Sequence, residues 1–242
     1  MSKSNNPAPT EKFQFPNSSA LWHESIGRPR SLGCQQCPHL SECGGLNVAT
    51  GIYDCLTYCR CTDPAGCDNV CPRNLAHLVA RSMEVQGFGL DNVPRAPPLG
   101  CTDLPRVVPM LYHSSARSRA PAVSTVALSL YEVLGKGDGT APFLTRKTLV
   151  ERFKLGDHAR IVLTGTHYDR PLERWWKAPD PHALVQKLKI LGVDLITTPN
   201  FSLFDDVPRN DNLYNMKRIA RVWSEIQNAG VPCALHLNAR TD

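Results

Sequence analysis

The chain has 242 residues, of which 42% are hydrophobic and 20% are charged, as is typical of globular proteins that bury a core. No apolar run approaches the roughly 20 residues that cross a bilayer, which argues against a membrane protein. The first residues lack the apolar segment of a secretory signal, so we expect a cytoplasmic protein.

Cysteine-rich sequence dominates the first third of the chain. Residues 1–30 are polar and proline-rich and are predicted to form a flexible arm. Residues 31–88 are predicted to form a metal-binding module, because eight of the ten cysteines lie there with the spacing C-x2-C-x5-C-x11-C-x3-C-x-C-x5-C-x3-C. The predicted metal ligands are Cys34, Cys37, Cys43, Cys55, Cys59, Cys61, Cys67 and Cys71.

The identity of the metal is open between iron–sulfur clusters and zinc, since both accept cysteine thiolates. In a reducing compartment, dense cysteine indicates metal ligation more often than disulfides. The pair Cys34/Cys37 has the spacing of a zinc knuckle. However, Cys67-x3-Cys71-Pro72 matches the end of the ferredoxin motif, in which proline follows the last ligand. We therefore favour one or two iron–sulfur clusters of the [4Fe–4S] type, with zinc as the alternative.

The metal also changes what the charge of the chain indicates. The formal net charge of +5 counts every cysteine as neutral. Four thiolates around Zn²⁺ or around a [4Fe–4S]²⁺ core carry a net charge of about −2, so two sites would lower the total to about +1. Nucleic acid is therefore only weakly supported as a partner, and the sequence identifies no other.

One cysteine segment resembles a known type of cluster domain. Cys34-Gln-Gln-Cys37-Pro-His-Leu-Ser-Glu-Cys43-Gly-Gly is similar to the C-x2-C-x5-C-G-G stretch of auxiliary-cluster (SPASM-type) domains of radical S-adenosylmethionine enzymes, and this resemblance implies an iron–sulfur cluster. The C-x3-C-x2-C motif that defines those enzymes is not matched, because Cys55-Leu-Thr-Tyr-Cys59-Arg-Cys61 is one residue shorter. It also precedes the first predicted strand instead of following it, so we do not assign radical chemistry.

The rest of the chain is predicted to be a parallel α/β domain. Residues 89–105 form a proline-rich linker, and from residue 106 to residue 242 short apolar strands alternate with helices. The predicted strands are Val107–His113, Arg160–Thr164, Val193–Thr197 and Val231–Leu237. The predicted helices are residues 73–87, Val126–Leu134, Thr148–Phe153, His182–Leu191 and Asn212–Asn228. About four strands correspond either to one open parallel sheet or to half of a (β/α) barrel, in which case the chain is a truncated barrel.

The last predicted helix and the last strand carry further expectations. In Asn212–Asn228 the predicted buried face contains Met216, Ile219, Ala220, Trp223 and Ile226. Lys217, Arg218 and Arg221 are predicted to be solvated. A terminal parallel strand would leave one sheet edge unpaired, which makes self-association through that edge possible.

A second resemblance covers more of the chain than the first. Thr198-Pro199-Asn200-Phe201-Ser202-Leu203-Phe204 is followed by Asp206, Pro208, an amphipathic helix and Gly230-Val231-Pro232. Together with the cysteine-rich front, this pattern resembles a prokaryotic and phage-borne domain family of unknown function. The resemblance implies no activity, but the family pattern continues beyond the last strand, which favours the truncated barrel.

Polar residues follow the predicted strands at their carboxyl ends, where parallel α/β folds bind ligands. The candidate catalytic residues at these ends are His113, His167, Asp169, Asn200, His236 and Asn238. His167 and Asp169 could act as a base and its orienting partner or as two metal ligands, whereas polar strand ends can also simply face water. Trp175-Trp176 beside Arg174 could stack on a flat ligand or anchor a loop to the core.

The sequence thus predicts a cytosolic iron–sulfur-binding protein with its cluster in a redox or structural role beside an α/β ligand-binding domain. The alternative is a zinc-stabilised module that binds nucleic acid or protein without catalysis. Neither prediction identifies a substrate or a reaction, and whether the chain is an enzyme stays open.

Replacing Cys37 or Cys71 with Ser should lower the metal content and the solubility of the protein, because a site that lacks one thiolate is incomplete. Cys233 lies outside the cysteine-rich segment in a predicted strand, where we expect a core residue, so Cys233→Ser should leave the metal content unchanged. Metal analysis of the three purified variants tests this. Equal metal content in all three variants would contradict the assignment of the metal site to residues 34–71.

Overall fold

The computed structural model describes residues 75–101, 103–112, 119–135, 145–178, 180–203 and 209–237. The eight predicted metal ligands, His113 and Asn238 therefore lie outside the described residues. The described chain divides into two compact units, one with residues 75–92 and 209–214, the other with residues 93–203 and 215–237. None of the helices within these ranges has the length and apolar character needed to cross a bilayer.

The described part of the first unit is built on α1, Leu75–Glu84. Arg81 of α1 forms an ion pair with Asp211, and its guanidinium lies 4.9 Å from the ring centre of Tyr214. The Tyr214 hydroxyl donates a hydrogen bond to Glu84 at 2.6 Å. The helix ends where Gly87 takes a positive φ of 85° and donates its N–H to the Ser82 carbonyl at 2.7 Å. The helix predicted at residues 73–87 is therefore confirmed over its central part.

The second unit contains one sheet of five parallel strands in the order β1-β2-β3-β4-β5. The strands are Met110–Leu111, Thr125–Ser129, Arg160–Thr164, Leu195–Thr197 and Cys233–Ala234. Each strand pairs with the next along the chain, and the register places Leu128 beside Leu163 and Leu163 beside Ile196. The predicted α/β class with a parallel sheet is confirmed, with five strands instead of about four.

Helices connect the strands of the second unit. They are α2 (Leu130–Leu134), α3 (Arg146–Arg152), α4 (Asp169–Trp176), α5 (Pro181–Leu191) and α6 (Arg209–Asn228), of which α6 begins in the first unit. Two of their starts follow ordinary capping chemistry. Thr145 and Thr148 form a reciprocal capping box at α3, and Asp180 accepts the Ala183 N–H just before Pro181 opens α5. Gly192, in the left-handed conformation, ends α5.

The core of the second unit lies between one face of the sheet and these helices. Alternate strand residues supply the sheet side of this core: Val126, Leu128, Ile161, Leu163, Ile196 and Cys233. Leu149 of α3, Leu188 of α5 and Ile226 of α6 are fully buried in the same cluster. Cys233 is thus a buried core residue as predicted, and burial raises the pKa of its thiol to about 12.

The helix predicted at Val126–Leu134 is wrong over its first half, which is strand β2. All five residues of β2 are buried. A strand covered on both faces lacks the alternation of apolar and polar residues that identifies a half-exposed strand, so periodicity alone did not separate it from a helix. Helix α4 was not predicted at all.

The predicted faces of the last helix are also wrong in part. Lys217 and Arg218 are buried, with exposed fractions of 1% and 4%, whereas Met216 is 39% exposed. Arg218 is buried because it has an acidic partner: its Nη1 lies 2.8 Å from an oxygen of Glu173, and its guanidinium lies 3.8 Å from the ring centre of Phe201. Periodicity cannot reveal a buried ion pair, since the partner comes from another helix.

The edge strand β5 is covered by side chains of α6. The Cys233 carbonyl accepts one hydrogen bond from Trp223 Nε1 at 2.8 Å and another from Gln227 Nε2 at 3.2 Å. Gln227 also accepts the Leu99 N–H at 3.2 Å. Self-association through this edge stays a prediction, and both donors would have to leave the Cys233 carbonyl before another strand could pair with it.

Removing both donors should destabilise the second unit and open the edge. Trp223→Phe alone should lower the free energy of unfolding by about 1 kcal/mol, because Gln227 still serves the carbonyl. Adding Gln227→Leu should cost more than the sum of the two single changes, since the carbonyl then loses its second donor as well. Urea denaturation measures the stability, and sedimentation measures association. A double variant with additive stability effects and unchanged association would contradict the capping role.

Candidate functional site

The loop that follows β3 is held in place at Gly165. Its N–H donates to Thr197 Oγ1 at 2.9 Å, and its carbonyl accepts from the Tyr131 hydroxyl at 3.0 Å and from the Asn200 N–H at 3.3 Å. A Cβ atom at this position would lie 2.3 Å from the Thr198 carbonyl oxygen. Glycine is therefore required, because the two backbones approach more closely than any side chain allows.

His167 lies two residues after Gly165 and is positioned through both its backbone and its ring. Its N–H donates to Asn200 Oδ1 at 2.9 Å, and its ring Nδ1 accepts the Tyr168 N–H at 2.9 Å. A nitrogen that accepts a backbone N–H carries no proton, so the bond selects the neutral tautomer with the proton on Nε2. The ring makes edge contacts with Tyr131 and Tyr168, at centroid distances of 5.1 Å and 4.2 Å.

A pocket of about 280 Å³ opens at the carboxyl ends of β2 and β3. Three aliphatic side chains and Gly135 form part of its wall, and the other six lining residues are aromatic or charged. Those aromatic and charged residues are Tyr131, Glu132, His167, Tyr168, Arg174 and Trp175. Tyr131 and Glu132 follow β2, and His167 and Tyr168 follow β3, so the connections after two neighbouring strands meet in one cavity.

The two charged residues of the wall have no counter-ion within the described part of the chain. No ion pair or hydrogen bond involves the side chain of Arg174 or Glu132 there. Glu173, the neighbour of Arg174 in sequence, has its carboxylate paired with Arg218. Successive residues of a helix point about 100° apart, which separates Glu173 from the pocket side of α4. The pocket therefore contains a guanidinium and a carboxylate that are both accessible to a ligand.

The described candidate residues are only partly brought together. His167 lines the pocket, and Asn200 holds the His167 backbone. Asp169 is exposed as the first residue of α4, and within the described ranges no hydrogen bond or ion pair joins it to His167. His236 is half-buried beyond β5, where its N–H donates to Thr198 Oγ1 at 2.8 Å. The catalytic roles of all of these residues stay predictions.

Sequence reasoning did not select Tyr131, Glu132 or Arg174 as site residues. Tyr131 and Glu132 were missed because β2 was predicted to be part of a helix, which hid the strand end that precedes them. Arg174 was noted only beside the tryptophan pair. Trp175 is buried in the core and also lines the pocket, so its anchoring role is confirmed, whereas stacking on a flat ligand stays a prediction.

A second cavity, of about 540 Å³, lies between α5 and α6 and includes His182, Lys189 and Glu225. Burial raises the pKa of Glu225, and the charges of Arg221 and His182 partly oppose that rise. The cavity lies between two helices instead of at the strand ends. Within the described residues no group of three or more histidine, cysteine or acidic side chains is placed to hold a metal ion.

Gly165→Ala should strongly destabilise the fold, because the added methyl group meets a backbone oxygen that can move only with β4. We expect the free energy of unfolding to fall by about 1–3 kcal/mol or more. Gly156→Ala is the matched control, since an added Cβ there meets nothing within 4 Å, and its effect should stay within about 0.5 kcal/mol. Urea denaturation of both variants measures their free energies of unfolding. Similar losses of stability in the two variants would contradict the close approach of Gly165 to the Thr198 carbonyl.

The buried Tyr131 hydroxyl should make stability depend on alkaline pH. Burial raises the pKa of Tyr131 above its ordinary value of 10.0, so the folded state favours the neutral phenol. Its contribution is complete below about pH 10 and is lost as the pH rises further, because the unfolded chain releases the proton first. Tyr131→Phe should reduce stability by about 1 kcal/mol at neutral pH and flatten the alkaline decline. Parallel declines in wild type and variant would contradict this.

Comparison with known proteins identifies no relative of this chain. No protein-family model matches the chain, and the searches of curated proteins and of solved structures likewise return no match. The chemistry of the pocket therefore has to be derived from its own residues.

Proposed function

We propose that this chain is an iron–sulfur protein whose α/β domain binds a small organic ligand in the pocket after β2 and β3. The observation that supports ligand binding is the position of the pocket. Parallel α/β domains bind their ligands at the carboxyl ends of the strands, and this cavity joins the connections that leave two neighbouring strands there.

The iron–sulfur half of the proposal is supported by the cysteine spacing. Eight cysteines lie within residues 34–71, and Cys67-x3-Cys71-Pro72 at the end of this segment matches the C-x3-C-P end of the ferredoxin motif. The resemblance to auxiliary-cluster domains favours the same metal. We assign the cluster a redox or structural role beside the ligand-binding domain, and the resemblance to the phage-borne family stays part of this proposal.

The side chains of the pocket can bind a small organic ligand and fix its orientation. The His167 Nε2–H is a directed donor whose tautomer is set by the Tyr168 N–H. Aromatic rings form the wall around it, and Arg174 and Glu132 supply one charge of each sign. Such a set holds a flat polar molecule in one orientation.

Anaerobic purification of the full chain, with iron, acid-labile sulfide and zinc measured on one sample, tests the cluster. We expect a brown protein with similar amounts of iron and sulfide. A colourless protein with stoichiometric zinc and no iron would refute the cluster and favour the zinc-stabilised binding module. In that case, steep weakening of oligonucleotide binding with salt would identify nucleic acid as its partner.

Ligand-observed NMR with a mixed set of anionic, neutral and cationic aromatic fragments tests the pocket. Tyr168→Ala should abolish binding of the fragments that occupy the pocket, because it removes part of the wall. Tyr112→Ala is the matched control: Tyr168 and Tyr112 are similarly exposed, at 68% and 65%, but Tyr112 does not line the pocket. Fragments that respond equally to both changes, or no binding at all, would refute the pocket as the ligand site.

A further inference from the structure

We infer that the pocket after β2 and β3 selects a small aromatic monocarboxylate, with the carboxylate on Arg174 and the ring against Tyr168 and Trp175. This inference rests on the proposed ligand-binding function and specifies the ligand class. Three features of the described residues carry it: an accessible guanidinium, aromatic walls and a small volume.

The accessible guanidinium belongs to Arg174. Two other arginines of the second unit are engaged within the chain: Arg218 pairs with Glu173 at 2.8 Å, and Arg146 donates to the Ala159 carbonyl at 2.7 Å. Arg174 has no such partner in the described ranges, and its nearest acidic neighbour in sequence is taken by Arg218. A planar guanidinium with free N–H groups binds a carboxylate through two parallel hydrogen bonds, which fixes the position of the anion.

The aromatic walls favour a flat ligand. Trp175 is 4% exposed, so its indole is held in place by the core and contributes a small, fixed part of the pocket wall. Tyr168 and His167, at the start of α4, also line the pocket, and their ring centroids lie 4.2 Å apart. Rings stack on such surfaces with little loss of side-chain entropy, because the wall is already ordered. The His167 Nε2–H can donate to a polar substituent on the ring.

The volume limits the size of the ligand. Pockets for drug-sized ligands and cofactors hold about 300–1,000 Å³, and this one holds about 280 Å³. A single ring or a compact fused pair with a carboxylate fits that space. A dinucleotide or a whole nucleotide cofactor would have to extend outside the cavity.

Glu132 limits the charge of the ligand. Its carboxylate shares the pocket with Arg174 but forms no ion pair with it at 4.0 Å or less in the described structure. A ligand with one negative charge can meet Arg174 and keep away from Glu132. A phosphate monoester carries nearly two negative charges, and Arg174 is the one cationic side chain among the described residues that line the pocket, where Glu132 adds a like charge, so this wall selects against the second charge.

Fluorine NMR titration of the full-length protein with para-fluorobenzoate, and with its neutral isostere para-fluorobenzamide, tests the inference. The benzoate should bind more tightly than the benzamide. Arg174→Met should weaken benzoate binding about tenfold to a hundredfold, as expected for the loss of charge-assisted hydrogen bonds. Arg170→Met is the matched control, because it removes the same charge from the same helix at an exposed residue outside the pocket, and it should change the affinity less than about twofold.

The affinity for phenyl phosphate tests the role of Glu132. It should bind more weakly than the benzoate to the unchanged protein, and Glu132→Gln should strengthen its binding several-fold while changing benzoate binding less. Tighter binding of phenyl phosphate than of benzoate by the wild type would overturn the assignment to a monocarboxylate.

These experiments distinguish a wrong ligand class from a wrong ligand-binding function. Equal affinity for benzoate and benzamide, or a benzoate affinity that Arg174→Met leaves unchanged, would overturn the inference. If neutral or cationic fragments then still bind in a manner that depends on Tyr168, the ligand-binding function stands and only the ligand class is wrong. If no fragment shows that dependence, both are wrong.

Discussion

Just after β3 and β4, Gly165 approaches the Thr198 carbonyl so closely that an added Cβ atom would lie 2.3 Å from the oxygen. This contact joins the connections that leave β3 and β4. The Gly165 carbonyl also accepts from Tyr131, so the segment after β2 is tied to the same point. Because His167 follows two residues later, the wall of the pocket depends on a position where no residue with a side chain fits.

The geometry of α4 separates a charge that stabilises the fold, Glu173, from a charge that lines the pocket, Arg174. Glu173 points toward α6 and compensates the buried Arg218, whose guanidinium also lies 3.8 Å from the Phe201 ring centre. A cation that is buried without such partners would cost several kcal/mol, on the order of the desolvation penalty of an ion. Arg174 is the next residue, about 100° around the helix, and lines the pocket instead. Helix α4 thus stabilises the buried Arg218 through Glu173 and contributes Arg174 to the wall of the pocket.

Sequence patterns identified β3, whose buried centre lies between the half-buried Arg160 and Thr164, and failed at β2, which is buried along its whole length. The boundaries of β3 were predicted as Arg160–Thr164, and α5 differs from its prediction by one residue. Strand β2 was assigned to a helix because both of its faces are buried, so its residues do not alternate. On α6, charge was taken to mean exposure, yet Lys217 is 1% exposed. In both cases the deciding contact comes from residues distant in sequence.

The sequence by itself determined the α/β class, both ends of β3, the last residue of α5, and His167 as a polar residue after a strand, because each depends on local pattern and on turn chemistry. It also determined the cysteine spacing on which the proposed cluster rests. Only the tertiary structure decided that Tyr131, His167 and Arg174 share one cavity, and that Glu173 pairs with Arg218 and not with Arg174. These relations depend on which strand ends are adjacent and which way each helix is turned, and neither quantity is encoded in a window of neighbouring residues.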